Sequence, residues 1–169
     1  MEHRKSALLV CVAMGLAVLA GSGTGWAANK ELDTEKVAVK FQREAERGGY
    51  KVVTTQELKV WLDQKKEMLV VDTMPPDNFK KQHIPGAVNF EVQRHPELTQ
   101  MSDNMRADLE KLLGPDRDRT IVFYCGFTDC ERSHNAGMWA IKLGYKNVYR
   151  QPGGITGWLE AGYPIEKSP

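Results

Sequence analysis

A chain of 169 residues with 23 Lys and Arg against 22 Asp and Glu carries a formal charge of +1. That length fits one domain, and the near balance excludes a dedicated nucleic-acid binder, which needs a basic surplus facing phosphate. Apolar residues at 41% and charged residues at 27% exclude wholesale disorder, and three cysteines exclude a disulfide-dense mini-fold.

The chain opens with Arg4 and Lys5, an uncharged apolar run from Ala7 to Ala20, and small residues around Gly25-Trp26-Ala27. These are the three parts of a secretory signal peptide. Residues 1–27 are therefore expected to be removed and the protein to be periplasmic or otherwise exported. Cleavage after Ala27 leaves 142 residues with 21 basic and 21 acidic side chains. The competing expectation is a retained membrane anchor, because no charge falls between Lys5 and Lys30. Gly21, Gly23 and Gly25 make the second half a poor spanning segment, so membrane association is expected only if the segment is retained. Export would place Cys125 and Cys130 in an oxidising compartment, where they are able to pair.

Residues 28–49 are charge-rich with weak apolar periodicity and end at Gly48-Gly49, which reads as an exposed helical lead-in. From Tyr50 to the end, short apolar strands alternate with amphipathic helices. Lys51 to Val53 is a strand, and Thr55 is placed to cap a helix whose apolar face is Leu58, Trp61 and Leu62. Met68 to Val71 is a continuous apolar run that ends in Asp72, as a buried parallel strand does. Ala87 to Phe90 is a third strand. Asp103 to Leu113 is a helix with Met105, Leu109, Leu112 and Leu113 on one side, stopped by Gly114-Pro115. Thr120 to Tyr124 is the strongest strand. A helix marked by Ala136, Trp139, Ala140 and Leu143 follows, then a strand at Val148 to Arg150 and a short closing helix from Ile155 to Ala161. This alternation predicts an α/β fold of three layers, α/β/α, around a central, mainly parallel five-stranded sheet. Ligands of such sheets sit beyond the carboxyl ends of the strands, and the residue that follows the strongest strand is Cys125.

A thiol between a strand and a helix is poised for chemistry. The helix's free N–H groups and positive dipole end favour thiolate, and a loop curled around the sulfur aims backbone N–H groups at a bound anion. The competing reading of Cys125 is a buried core thiol, against which its position and the polar loop both weigh.

Val71-Asp72, Phe79, His83-Ile84-Pro85-Gly86-Ala87-Val88-Asn89, the Tyr124-Cys125 loop, Arg132-Ser133, Gly153-Gly154 with Trp158, and Ala161 to Pro164 fall in one order. That pattern resembles the rhodanese-like domain over about Tyr50 to Pro164. The resemblance implies a sulfurtransferase in which Cys125 takes a sulfane sulfur from a donor such as thiosulfate and holds it as a persulfide. It passes the sulfur to a thiol or cyanide acceptor, with a protein thiol as a further partner class. By position, Gly126, Phe127, Thr128, Asp129, Cys130 and Glu131 would form the backbone cradle, with Arg132-Ser133 as the pair that closes it.

The sequence departs from the family pattern in three places. Arg132 lies seven positions after Cys125 rather than five, which predicts a wider pocket like those of phosphatases and arsenate reductases of the same fold family. Met74 stands where many relatives carry an Arg. Cys130 adds a second thiol, read either as a resolving partner of Cys125 or as half of a structural disulfide. The longer loop makes an oxyanion-handling phosphatase or arsenate reductase-like enzyme the second functional reading, and a non-enzymatic sulfur-binding or redox-sensing module built on the Cys125–Cys130 pair is the third. Among weaker candidates, His134 is expected at the surface, His83 and Asp72 as structural braces, and Phe127 at the mouth with Trp158 in the core. No Cys/His spacing suggests zinc and no further glycine-rich phosphate loop is present, so no cofactor is expected.

Overall fold

The computed structural model describes residues 30–95 and 100–168. The expected signal peptide, residues 1–27, lies outside the described residues. Five strands form one sheet: β1 (Lys51–Val52), β2 (Leu69–Asp72), β3 (Val88–Asn89), β4 (Thr120–Tyr124) and β5 (Asn147–Arg150). Their order is β1-β5-β4-β2-β3 and every pairing is parallel. Six helices complete the fold: α1 (Glu31–Gly48), α2 (Thr55–Asp63), α3 (Pro76–Lys81), α4 (Asp103–Leu113), α5 (Glu131–Lys142) and α6 (Gly154–Glu160).

Side-chain alternation along β4 makes the three layers. Ile121 and Phe123 point into a cluster with Leu109, Leu113, Ala136 and Ala140, from α4 and α5. Val122 and Tyr124 point into the opposite cluster with Leu58, Ile155 and Trp158, from α2 and α6. All four β4 side chains are fully buried, and full burial of a side chain such as Phe123 contributes about 2 kcal/mol. The register aligns Asp72 with Tyr124 and Phe123 with Arg150. Because the strands are parallel, the segments after β2, β4 and β5 all emerge at one edge of the sheet.

Two local expectations are corrected and one helix is added. The α2 cap is Thr54 rather than Thr55: the Glu57 amide donates to Thr54 Oγ1 at 3.2 Å, and the Thr54 amide donates to Glu57 Oε2 at 2.8 Å. This is the reciprocal box that a Thr followed three residues later by Glu can form. Thr55 is then free to accept from Gln151 Nε2 at 2.6 Å. Helix α3 has only six residues, too few for an apolar period to show, and Pro75-Pro76 opens it with Pro76 in its first turn. The charge-rich segment is also more than an exposed lead-in. α1 packs against α5, and although most of its residues face outward, Glu44 and Gly48 are buried.

The start of α6 fixes the segment that follows β4. The Ile155 amide donates to the Cys125 carbonyl at 2.9 Å and the Thr156 amide to the Gly126 carbonyl at 3.0 Å. Gly154 allows this approach with φ of +62°, and a Cβ there would stand 2.4 Å from the Cys125 carbonyl oxygen. Gly154→Ala is therefore expected to destabilise the protein by at least about 2 kcal/mol, read as a lower urea midpoint. Unchanged stability would show that the contact has room to relax.

Candidate active site

The loop from Cys125 to Cys130 sits at the sheet edge where β2, β4 and β5 end. Both cysteines are free and each is 1% exposed. Their sulfurs have opposite surroundings. Cys125 Sγ faces oxygen: the Cys130 carbonyl at 3.3 Å, the Phe127 carbonyl at 3.9 Å and Ser133 Oγ at 3.2 Å. Cys130 is the N-cap of α5. Its side chain makes no capping hydrogen bond, and its sulfur neighbours the Cys125 thiol, the Gly126 and Arg132 amides and the Arg132 side chain.

These surroundings set the protons. Burial pushes the Cys125 thiol well up. The hydrogen bond from Cys125, reinforced by the two amides and Arg132, pulls Cys130 down against its own burial. The longer loop brings Cys130 to the N-cap of α5, so the helix N-terminus expected to favour a Cys125 thiolate begins at Cys130, whose side chain makes no capping hydrogen bond.

Part of the longer loop faces inward. The Thr128 carbonyl accepts from Arg150 Nη2 at 3.1 Å and the Cys130 carbonyl from the same nitrogen at 2.9 Å. A cleft of about 60 Å³ beside the loop is lined by Asp72, Met74, Asn78 and Ile155 among others. Met74, the residue in place of an Arg, packs its sulfur 3.5 Å from where a Cβ on Gly126 would stand.

The other sequence candidates divide clearly. Ser133 bridges Cys125 and Arg150, whose Nε donates to Ser133 Oγ at 3.0 Å and leaves the hydroxyl hydrogen free for the sulfur. Asp129 and Glu131 each take Lys40 Nζ at 2.6 Å. Burial works against the Glu131 carboxylate, but the bonds from Lys40 and Arg94 hold it below its ordinary range. Phe127 is exposed at the loop tip, 5.7 Å from the Arg94 guanidinium. Asp72 accepts the Met74 amide at 2.8 Å, and burial raises its pKa despite that bond and one to Tyr124. His83 lies outside the loop, bonded through Nδ1 to the Phe79 carbonyl at 2.8 Å. Trp158 is buried and donates to the Pro164 carbonyl.

The sequence reading missed Arg150, Glu44, Tyr50 and Lys40. Arg150 is 0% exposed and pairs with Glu44, itself 2% exposed, through Nη1. The same nitrogen donates to Tyr50 Oη at 3.2 Å. The signal available for Arg150 was its place at the end of the last strand, where a parallel sheet gathers its functional edge. Glu44 and Lys40 carry no such signal within a run of charges.

His134 is fully buried rather than at the surface. Its Nδ1 lies 2.9 Å from Tyr50 Oη, and since Tyr50 accepts from Arg150, its hydroxyl is free to donate to the ring. Burial and the nearby Arg150 charge lower the His134 pKa from 6.5 to about 4. The folded protein then binds fewer protons than the unfolded chain between those values, so stability is full above pH 6.5 and falls as pH drops toward about 4. Urea midpoints measured across this window are expected to show that slope, and His134→Gln to flatten it; an unflattened slope would assign it to other groups.

A family model for the rhodanese-like domain matches residues 54–161. The chain is 28% identical over 98 residues to thiosulfate:glutathione sulfurtransferase of Saccharomyces cerevisiae, covering 56% of this chain and 67% of that protein. It is 29% identical over 114 residues to tRNA uridine(34) hydroxylase of Burkholderia ambifaria, covering 64% of this chain and 37% of the relative. The chain thus spans about two thirds of the first relative and little more than a third of the second. Two solved structures share the fold. Thiosulfate sulfurtransferase from Pseudomonas aeruginosa has a TM-score of 0.57 and 20% identity, over 79% of this chain and 23% of that one. The polysulfide-sulfur transferase of Wolinella succinogenes has a TM-score of 0.56 and 18% identity, over 82% and 92%. With the model matched across most of the chain and the parallel sheet and strand-end cysteine in place, the chain belongs to the rhodanese-like domain family.

Proposed function

We propose that the protein is a sulfurtransferase that moves sulfane sulfur from a donor such as thiosulfate, through a persulfide on Cys125, to a small thiol, cyanide or a protein thiol. The observation that carries this reading is the pair of free, buried thiols at the end of the central strand, where burial pushes Cys125 up and the hydrogen bond from Cys125 pulls Cys130 down. A pair that shares one proton has its base built in: passing the proton from Cys125 to Cys130 creates the attacking thiolate at the strand end. Cys125 then bonds to the outer sulfur of thiosulfate as the thiosulfate S–S bond breaks, and sulfite leaves with the electron pair. The acceptor attacks the outer sulfur of the persulfide, and Cys125 departs as thiolate and recovers its proton from Cys130. The Ser133 hydroxyl, with its oxygen held by Arg150, donates to sulfur on Cys125 throughout. Sulfurtransferases among the relatives support this reaction class, although fold alone does not fix a reaction.

Cys130 also limits the cycle. Its attack on the inner sulfur of the Cys125 persulfide would release hydrosulfide and leave a Cys125–Cys130 disulfide. The basic and apolar start of the chain supports export as part of this proposal, and the amino-terminal sequence of the protein isolated from its own cells tests that part.

Incubation with thiosulfate is expected to add the mass of one sulfur to the peptide that holds Cys125, and transfer to cyanide or a small thiol to vanish in Cys125→Ser. No added sulfur on either cysteine, or undiminished transfer by the variant, would sink the proposal. Hydrolysis of an aryl phosphate without sulfur uptake would instead mark the loop as an oxyanion site.

A further inference from the structure

Arg150 lies at the floor of the loop and resembles an anion-binding residue, yet its hydrogen bonds leave it nothing to offer a ligand. A guanidinium has five N–H donors in a fixed fork. Nε donates to Ser133 Oγ, Nη1 to Glu44 and Tyr50, and Nη2 to the Thr128 and Cys130 carbonyls. All five are committed, and the side chain is 0% exposed. The fork therefore binds the loop itself. Its counterion comes from α1, which lies before the residues matched to the family, 54–161. The same helix sends Lys40 to Asp129 and Glu131, one residue on either side of Cys130.

We infer that α1 completes the active site, and that Glu44 and Arg150 act together as positioning residues that hold the Cys125–Cys130 loop and the Ser133 hydroxyl in the geometry that lets Cys125 lose its proton. The physical chain is continuous. The Glu44 carboxylate makes a buried cation tolerable and anchors one side of the fork. The other side fixes two loop carbonyls, one of which also faces Cys125 Sγ, and orients the hydroxyl that donates to that sulfur. Without the fork, the Thr128 and Cys130 carbonyls lose their partner, and the sulfurs lose both a nearby cation and a preorganised donor. Each loss disfavours thiolate.

The inference concerns the same loop as the proposed sulfur transfer, but its test needs no sulfur donor. The readout is the rate at which iodoacetamide alkylates each cysteine as a function of pH, resolved by peptide mass spectrometry in the full chain. The double substitution Glu44→Leu with Arg150→Met removes both charges while keeping apolar bulk, an exchange that buried ion pairs often tolerate. Arg150→Lys is the second variant: it keeps a cation opposite Glu44 but replaces the five-donor fork with a single ammonium. In whichever variant gives a cooperative thermal transition, alkylation of Cys125 at neutral pH is expected to slow by about tenfold and its pH midpoint to rise by about one unit. A folded variant of either kind with the parent's rates and midpoint would overturn the inference by reducing the ion pair to a fold-stabilising contact. Because alkylation is independent of sulfur uptake, the loop can prove to be held this way even if the protein transfers no sulfur, and the reverse.

Discussion

One buried cation organises this molecule's functional edge. A guanidinium taken out of water is costly unless a counterion and hydrogen-bond acceptors replace its hydration. Arg150 has both, with Glu44 opposite and four neutral oxygens around it. The requirement propagates outward. Tyr50 must present its oxygen to Arg150, which leaves its hydrogen for His134 and favours that ring in its neutral form. Ser133 must present its oxygen too, which turns its hydrogen toward Cys125. Two loop carbonyls must face inward, which sets the path of the chain from Cys125 to the cap of α5. The guanidinium itself is fully satisfied, while His134 Nε2, at the outer end of the network, is buried without a hydrogen-bond partner among the described residues.

The remaining charges around the loop are arranged in opposition. Lys40 lies between Asp129 and Glu131, and Arg94 takes the other side of Glu131 while its guanidinium sits over Phe127. Arg132 lies near the Cys130 thiol and Arg150 near Cys125. The two thiols are chemically unequal although one loop carries both: one sulfur faces two carbonyls and the Ser133 hydroxyl, and the other belongs to the N-cap of α5. That inequality gives the pair a direction for proton movement, which a single cysteine at the end of β4 would lack.

The architecture was legible because it repeats. Apolar runs at Leu69–Val71 and Thr120–Tyr124, separated by helical periods, specify a parallel sheet whatever its strand order, and Asp103–Leu113 carries its own stop at Gly114. Strand order is a long-range property that periodicity does not encode. The thiol loop was legible because a cysteine between strand and helix is conspicuous, but which sulfur meets the amides depends on how two extra residues fold. Arg150 and Glu44 were not legible for a related reason. Each becomes meaningful only when the last strand and the first helix are brought together, across a separation of 106 residues. His134 was misplaced because its burial comes from α1 and Tyr50 covering α5, and a helix read alone does not reveal what covers it.

The placement of α1 bears on where the working unit begins. Sequence similarity to the family starts at residue 54, after Glu44 and Tyr50. A polypeptide trimmed to that boundary would keep every residue of the family signature yet strand a guanidinium beneath its own reactive loop, with only neutral water in place of the carboxylate. The smallest self-sufficient form of this protein is therefore longer than its family match, and its missing piece is electrostatic.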